Sequence, residues 1–126
     1  MPLITVTALK PKGPSFKSAV LDSVHAALIA VGVPETDRFQ RFLELAPEDF
    51  RFDAGYPDAQ GARDENFVLI EVLWSVGRSV KVKRRFLDVL MEQIRDRDLD
   101  PENVMVVFKE TTWENWAFAG GRQIHV

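Results

Sequence analysis

Two hydrophobic periodicities divide the first part of the chain into three segments. The run Leu3–Leu9 is β-branched and alternates in part, which is typical of a strand, and a turn follows at 10–14. From Ser15 the apolar positions recur every three or four residues, which predicts an amphipathic helix capped by Ser15 and ended by 32–34. After a polar loop, the apolar positions of Phe39–Leu45 predict a second strand.

The same order of elements returns in the second half. The stretch 46–66 carries glycines, prolines and acidic residues and predicts a loop, within which 50–52 can form a short extended piece. Phe67–Trp74 is nearly continuous in apolar residues and predicts a central strand. Ser79 is a suitable cap for a second amphipathic helix, and Val104–Phe108 predicts a fourth strand.

The two halves are a duplication of one unit. The first strands start at Leu3 and Phe67, a separation of 64 residues, and the helix caps Ser15 and Ser79 have the same separation. A helix that connects two adjacent strands makes them parallel and covers one face of the sheet. The predicted fold class is therefore α+β, with tandem β-α-β units that form a four-stranded sheet with two helices on one face.

The duplication leaves the opposite face of the predicted sheet uncovered. The strand Phe67–Trp74 is largely apolar on both faces, and exposure of its uncovered face to water is unfavourable. We therefore expect other copies of the chain to cover that face of the sheet. The chain then forms a single domain, 1–126, with pseudo-repeats at about 2–46 and 66–109 and an aromatic C-terminal tail at 110–126.

Composition and charge exclude several classes of protein. The 126 residues include no cysteine, which rules out disulfide scaffolds, thiol nucleophiles and cysteine metal sites and favours a reducing compartment. The 16 basic and 19 acidic side chains give a net charge of −3, which argues against a nucleic-acid partner. Because no apolar stretch is long enough to span a membrane and no signal core follows Met1, we expect a cytoplasmic protein without a membrane partner. His25 and His125 share no metal-ligand spacing, so no zinc site is predicted.

The first candidate for chemistry is Pro2. An aminopeptidase removes an initiator methionine that precedes proline, so we expect Met1 to be absent in cells and Pro2 to carry a secondary amine at the end of a strand. Such an amine has an ordinary pKa of about 7.7–8.0, and burial or nearby cations can lower that pKa until the free base is populated at neutral pH. The amine can then transfer protons. The alternative is that Pro2 is only a processing signal.

Three further motifs connect this amine to a known family. They are the acidic loop 32–40, the arginine of 77–79 before the second helix, and the aromatic segment 114–120. Together with Pro2 and the tandem β-α-β layout, they make the sequence resemble the tautomerase superfamily, most closely its malonate semialdehyde decarboxylase-like branch. The resemblance covers almost the whole chain. It implies a homotrimer, a catalytic proline nitrogen and no cofactor.

The resemblance also implies roles for individual residues. Pro2 matches the catalytic acid or base, and Asp37 matches the acidic residue that orients or activates water in the decarboxylase-like members. Arg78 matches one of two arginines that hold the substrate carboxylate, and Val76 occupies the position of the other. The aromatic wall of the substrate pocket corresponds to Trp116 and Phe118.

The residues by themselves leave simpler interpretations open. Arg78 precedes the Ser79 cap, where a guanidinium and the helix dipole together suit an anion, but it can also be a surface arginine. Asp37 can be a turn residue that pairs only with Arg38. The basic run 78–85 has the spacing of a solvated helix face.

We therefore expect an enzyme that uses the Pro2 amine to catalyse keto-enol tautomerisation of a small 2-oxo or 3-oxo carboxylic acid. Because Val76 stands where the family pattern has a second arginine, tautomerisation is favoured over decarboxylation. The alternatives are a malonate semialdehyde-type decarboxylase or hydratase, and a non-catalytic trimer that binds a metabolite or a protein. A ferredoxin-like regulatory module, which also places two helices on a four-stranded sheet, is a further alternative.

Overall fold

Two β-α-β units build the chain in the computed structural model, which describes residues 1–125. The first unit consists of β1 (Leu3–Leu9), α1 (Pro14–Ala30) and β2 (Gln40–Leu45). The second consists of β3 (Val68–Ser75), α2 (Val80–Asp96) and β4 (Val104–Thr111). Short 3-10 turns lie at Pro47–Asp49, Pro101–Asn103 and Trp113–Asn115. The duplicated α+β architecture predicted from the sequence is confirmed.

The sheet order is β2-β1-β3-β4. The strands of each unit are parallel, and the two units meet through the antiparallel pair β1 and β3, in which Leu3 lies opposite Leu73. The starts of β1 and β2 therefore share one edge of the sheet with the ends of β3 and β4. We call this edge the site edge, because it carries the candidate functional residues described below.

Helices α1 and α2 pack against each other and against one face of the sheet. Alternate residues of β3 point into this layer and are fully buried, while the residues between them are only partly buried. At the centre of the core, Trp74 stacks on Phe108 with ring centroids 5.2 Å apart and meets Phe86 edge-on at 6.1 Å. Other large and fully buried side chains from the sheet and the helices are Ile4, Val6, Val20, Val24, Leu28, Val68, Ile70, Val72, Leu90 and Ile94.

The opposite face, here the open face, is not covered by the helices. It carries exposed apolar side chains, among which Leu43 is 43% and Met105 is 46% exposed. Thr7 and Leu69 lie between these two residues in the same row across the sheet. Charged side chains stand beside this row, where Lys109 Nζ lies 2.5 Å from a Glu71 carboxylate oxygen. The face is therefore largely apolar with an ion pair near its middle.

The predicted cap of the second helix is confirmed and that of the first helix is wrong. The Ser79 hydroxyl accepts a hydrogen bond of 3.2 Å from the Val82 N–H. Helix α1 begins two residues earlier than a cap at Ser15 implies, and Gly13 is its N-cap in place of Ser15. The reason is Pro14, whose fixed φ and missing N–H suit the first helical position.

One strand also extends beyond its sequence-based boundary. Strand β4 runs three residues beyond Phe108 because Lys109–Thr111 pair with Leu73–Ser75 of β3. Residues 50–52 form no strand, but the backbone of Phe50 is extended, as predicted, and the Phe52 ring packs on Phe67 with centroids 4.4 Å apart. Within residues 1–125, no helix is long and apolar enough to cross a membrane.

Candidate active site

Sheet topology brings the five predicted site residues to the site edge. Pro2 precedes β1 and Asp37 lies in the loop before β2, so both stand where these parallel strands begin. Arg78 lies in the loop after β3, which runs in the opposite direction and ends at this edge. The segment after β4 carries Trp116 and Phe118 to the same place.

Two adjoining cavities occupy the site edge. The polar cavity, about 270 Å³, is lined by Asp37, Arg78, Trp113 and His125 and by residues 31–34. The aromatic cavity, about 230 Å³, is lined by Pro2, Leu3, Phe39 and 116–118. Met1 lines both cavities, so the terminal residue separates a charged compartment from an apolar one.

The Met1 amine lies beside a carboxylate in this site. Its nitrogen is 3.9 Å from Asp37 Oδ2, and only 9% of the Asp37 side chain is exposed. Burial lowers the pKa of the amine below its ordinary value of 8.0; the negative charge of Asp37 raises it, and the positive charge of Arg78 lowers it further. Burial is the largest of the three effects, so the free base gains population at neutral pH. Pro2, the next residue, is itself buried.

Asp37 does not form the simple pair with Arg38 that its sequence position allows. The Arg38 guanidinium points to helix α1, where Nη2 lies 2.5 Å from Asp22 Oδ1, and its Nε donates to Gln40 Oε1 at 3.1 Å. Asp37 Oδ1 is buried and has no hydrogen-bond partner among residues 1–125. A buried carboxylate oxygen without a partner is costly, which is characteristic of a group kept for chemistry or binding.

Arg78 is held by two contacts at the end of β3. Its Nη1 donates to the Ser75 carbonyl at 2.6 Å, and its Cζ lies 4.6 Å from the centroid of the fully buried Trp74 ring. Burial lowers the pKa of Arg78, while the charges of Asp37 and Glu110 raise it. Arginine remains cationic even so, and its other N–H groups suit a carboxylate at the polar cavity. Arg78 is half-buried in a cavity wall rather than extended into solvent.

The aromatic wall is a stacked pair. The rings of Trp116 and Phe118 lie 5.6 Å apart with an interplanar angle of 17°. This pair and Phe39 surround the apolar compartment next to Pro2. The arrangement suits the hydrocarbon part of a small ligand whose charged end reaches Arg78.

The structure adds residues that the sequence pattern did not single out for the site. Phe39, predicted as the first residue of a strand, lies just before β2, is 50% exposed and lines the aromatic cavity. His125 lines the polar cavity and meets Trp113 edge-on, with ring centroids 4.7 Å apart. A histidine in an irregular C-terminal segment carries no periodic signal, so only the folded chain reveals its place. Within residues 1–125, no three acidic or histidine side chains are grouped to hold a metal ion.

The candidate residues do not line the larger groove at the other end of the sheet. A groove of about 660 Å³ lies near the starts of β3 and β4, beside Tyr56, Arg63 and Met105. That end of the sheet is opposite the site edge. The site edge is therefore the one place where the terminal amine, a carboxylate and a guanidinium converge among residues 1–125.

The fold and this constellation define a tautomerase-type protein. The sequence profile of the family described as "Tautomerase enzyme" matches residues 37–119, which is more than half of the chain. The chain belongs to the tautomerase superfamily, in its malonate semialdehyde decarboxylase-like branch. It is accordingly a tautomerase-like enzyme.

Solved structures with this fold include two that are described as malonate semialdehyde decarboxylase. One, reported as wild-type, mutant and inactivated enzyme, is 26% identical, with a TM-score of 0.85 over 96% of this chain and 93% of that chain. The other, inhibited by 3-bromopropiolate, is 24% identical, with a TM-score of 0.87 over 98% and 93%. A fused 4-OT, described as a symmetric trimer, is 17% identical, with a TM-score of 0.75 over 98% of each chain. No curated protein sequence matches the chain.

Proposed function

We propose that this protein catalyses keto-enol tautomerisation of a small 2-oxo or 3-oxo carboxylic acid, with the Pro2 amine as acid and base and without a cofactor. The observation that carries the proposal is the convergence of the terminal amine, Asp37 and Arg78 on one cavity. Once Met1 is removed, the amine belongs to Pro2, and the cavities on either side of Met1 are no longer separated by that residue.

The proton transfer follows from the state of the amine. The neutral Pro2 nitrogen takes a proton from the carbon next to the substrate carbonyl, and the electrons of that C–H bond form the C=C bond of an enolate. The resulting prolinium then gives its proton to the enolate oxygen, which releases the enol and restores the free amine. Ketonisation is the reverse sequence. The burial of Pro2 supports this role, because burial lowers the pKa of an amine, as it does for the Met1 amine beside it.

Arg78 binds the substrate carboxylate in this proposal. Its guanidinium is fixed by the Ser75 carbonyl and the Trp74 ring, so little side-chain freedom is lost when an anion binds. The stacked Trp116 and Phe118 receive the remaining part of the substrate. A substrate of this kind spans the polar and aromatic cavities, with its reacting carbon between them.

A second candidate function is decarboxylation or hydration of a 3-oxo acid such as malonate semialdehyde. The observation in its favour is Asp37 Oδ1, which is buried beside the amine without a hydrogen-bond partner among residues 1–125 and is suited to orient a water molecule. In this reaction a cationic Pro2 polarises the carbonyl. Val76 supplies no charge where the family pattern has a second arginine. Tautomerisation is therefore favoured over this second function.

The experiment that tests the proposal compares two forms of the full chain. One form has lost Met1, verified by mass spectrometry; the other carries an additional residue before Pro2, so that its nitrogen is acylated. Both are assayed with small enolpyruvates, by the loss of enol absorbance, and with 3-oxo acids, by release of carbon dioxide. We expect the blocked form to be slower by about a hundredfold or more, the size of a general acid-base contribution. Equal rates in the two forms would exclude the Pro2 mechanism.

We further propose that the protein is a homotrimer in which neighbouring copies cover the open face of each sheet. The exposed apolar residues Leu43 and Met105 on that face support this assembly, because a large apolar surface is unfavourable in water. The 4-OT structure with a similar fold is described as a symmetric trimer.

A further inference from the structure

His25 is a buried histidine to which the proposed mechanism assigns no function. It lies in helix α1, is 4% exposed, and its Nε2 is 2.8 Å from the backbone carbonyl oxygen of Glu35. A carbonyl oxygen only accepts hydrogen bonds, so Nε2 must carry the hydrogen. The other ring nitrogen, Nδ1, is buried and has no hydrogen-bond partner among residues 1–125. The geometry therefore fixes one tautomer, with a single hydrogen bond directed at the loop.

The loop that His25 holds is the one that carries Asp37. Glu35 lies two residues before Asp37, inside a turn closed by the hydrogen bond from the Asp37 N–H to the Pro34 carbonyl at 3.0 Å. The carboxylate itself is not fixed by hydrogen bonds, since Oδ1 has no partner in the described chain and Oδ2 is 3.9 Å from the terminal amine. The position of Asp37 therefore depends on the backbone of this turn.

Two side chains of α1 tie down this loop, and they differ in burial. Asp22 binds the Arg38 guanidinium, but its side chain is 51% exposed, and exposed ion pairs contribute little to rigidity or stability. The His25 ring is almost completely buried, although Glu35 itself is exposed, so its hydrogen bond ties the Glu35 carbonyl to a fixed part of helix α1. His25 is thus the stronger of the two attachments.

We propose that His25 is a positioning residue that sets the distance between the Asp37 carboxylate and the Pro2 amine by holding the Glu35 carbonyl. The inference rests on the proposed function of that amine. It assigns His25 no contact with substrate. Its consequence is electrostatic, because the effect of the carboxylate on the amine falls with their separation.

The decisive comparison uses His25→Gln and His25→Met in the full chain without Met1. The two side chains have similar length, but only glutamine can donate an N–H to the Glu35 carbonyl. Asp22→Asn is the control that weakens the exposed attachment of the same loop, and Asp37→Asn supplies the effect of removing the carboxylate. The first readout is the pKa of the Pro2 amine, followed by nitrogen NMR. The titratable side chains that line the cavity beside the terminal residue are Asp37, Arg78 and His125.

We expect His25→Met to lower the pKa of the Pro2 amine, as Asp37→Asn does. In His25→Gln and Asp22→Asn the pKa of the amine should stay close to that of the unmodified protein. The second readout is steady-state kinetics, in which His25→Met should lower kcat about tenfold or more, as misplacement of a catalytic group does, with a smaller change in KM because Arg78 is unaltered. Identical amine pKa values in His25→Met and the unmodified protein overturn the proposal.

Two further observations separate a variant that does not fold, and a failure of the proposed function, from a failure of the positioning role of His25. If His25→Met does not fold, the nitrogen NMR signals of His25 in the unmodified protein decide: a hydrogen on Nε2 alone supports the proposal, and a hydrogen on Nδ1 alone overturns it. If the amine pKa shifts as expected while no variant affects turnover of a 2-oxo acid, the proposed function fails and the positioning by His25 stands.

Discussion

Asp37 and Arg78 come from different halves of the duplicated chain, yet they line one cavity and act in opposite directions on the terminal amine. The carboxylate raises the pKa of the amine and the guanidinium lowers it, while burial lowers it most. Each half thus contributes one charge to the site. The balance between these charges decides how much of the amine is a free base at neutral pH.

The first prediction concerns that balance. The negative charge of Asp37 raises the pKa of the Met1 amine, and we expect the same effect on the Pro2 amine once Met1 is removed, so Asp37→Asn should lower the pKa of the Pro2 amine. If the free amine is the catalytic base, the acid limb of kcat/KM should move to lower pH. Nitrogen NMR titration of the amine and the pH profile of kcat/KM measure the two effects. A pKa that rises in Asp37→Asn would contradict this electrostatic arrangement.

The second prediction concerns substrate binding by Arg78. Charge-assisted hydrogen bonds contribute about 1.5–3 kcal/mol. Arg78→Ala should therefore lower kcat/KM for a 2-oxo acid or its enol by at least about tenfold, which corresponds to about 1.4 kcal/mol. Arg84→Ala is the matched control, because Arg84 is exposed on helix α2. Equal losses in the two variants, or none in either, would show that Arg78 does not bind the substrate.

The fold was predictable because its signals are local and repeated. Apolar periodicity located both helices and all four strands, and the 64-residue spacing from Leu3 to Phe67 revealed the duplication. The errors lie at ends of elements, where single contacts decide. Pro14 moved the start of α1, and pairing with β3 lengthened β4, neither of which hydrophobic periodicity records.

The site was predictable only in part. Resemblance to the family pointed to Pro2, Asp37 and Arg78, and the antiparallel contact of β1 with β3 explains why these residues meet. His125 was not recognised as part of the site, because its position there depends on the path of an irregular segment. In the sequence, His25 was notable only for having no metal-ligand spacing to His125, and its bond to the Glu35 carbonyl is a tertiary contact.

The third prediction concerns Val76, which is 40% exposed in the loop after β3. Val76→Arg restores the second cation of the decarboxylase-like pattern, two residues from Arg78. We expect this variant to increase decarboxylation of a 3-oxo acid relative to tautomerisation, because a second guanidinium can hold the leaving carboxylate. Val76→Gln, which is long and polar but uncharged, is the control. If both variants change the ratio equally, charge at this position does not select the reaction.

The last prediction concerns assembly through the open face. Leu43, 43% exposed on that face, and Ile29, 43% exposed on helix α1, are equally accessible apolar side chains in different places. Burying one leucine side chain contributes about 1.5–3 kcal/mol, and a trimer contains three such sites, so a charge at Leu43 should oppose assembly strongly. We expect light scattering to give the mass of a trimer for the unmodified protein and for Ile29→Lys, and a smaller mass for Leu43→Lys. Circular dichroism verifies that each variant is folded. A stable monomer of the unmodified protein at micromolar concentration would exclude the trimer, whereas a trimer that survives in Leu43→Lys would place its interface elsewhere than on the open face.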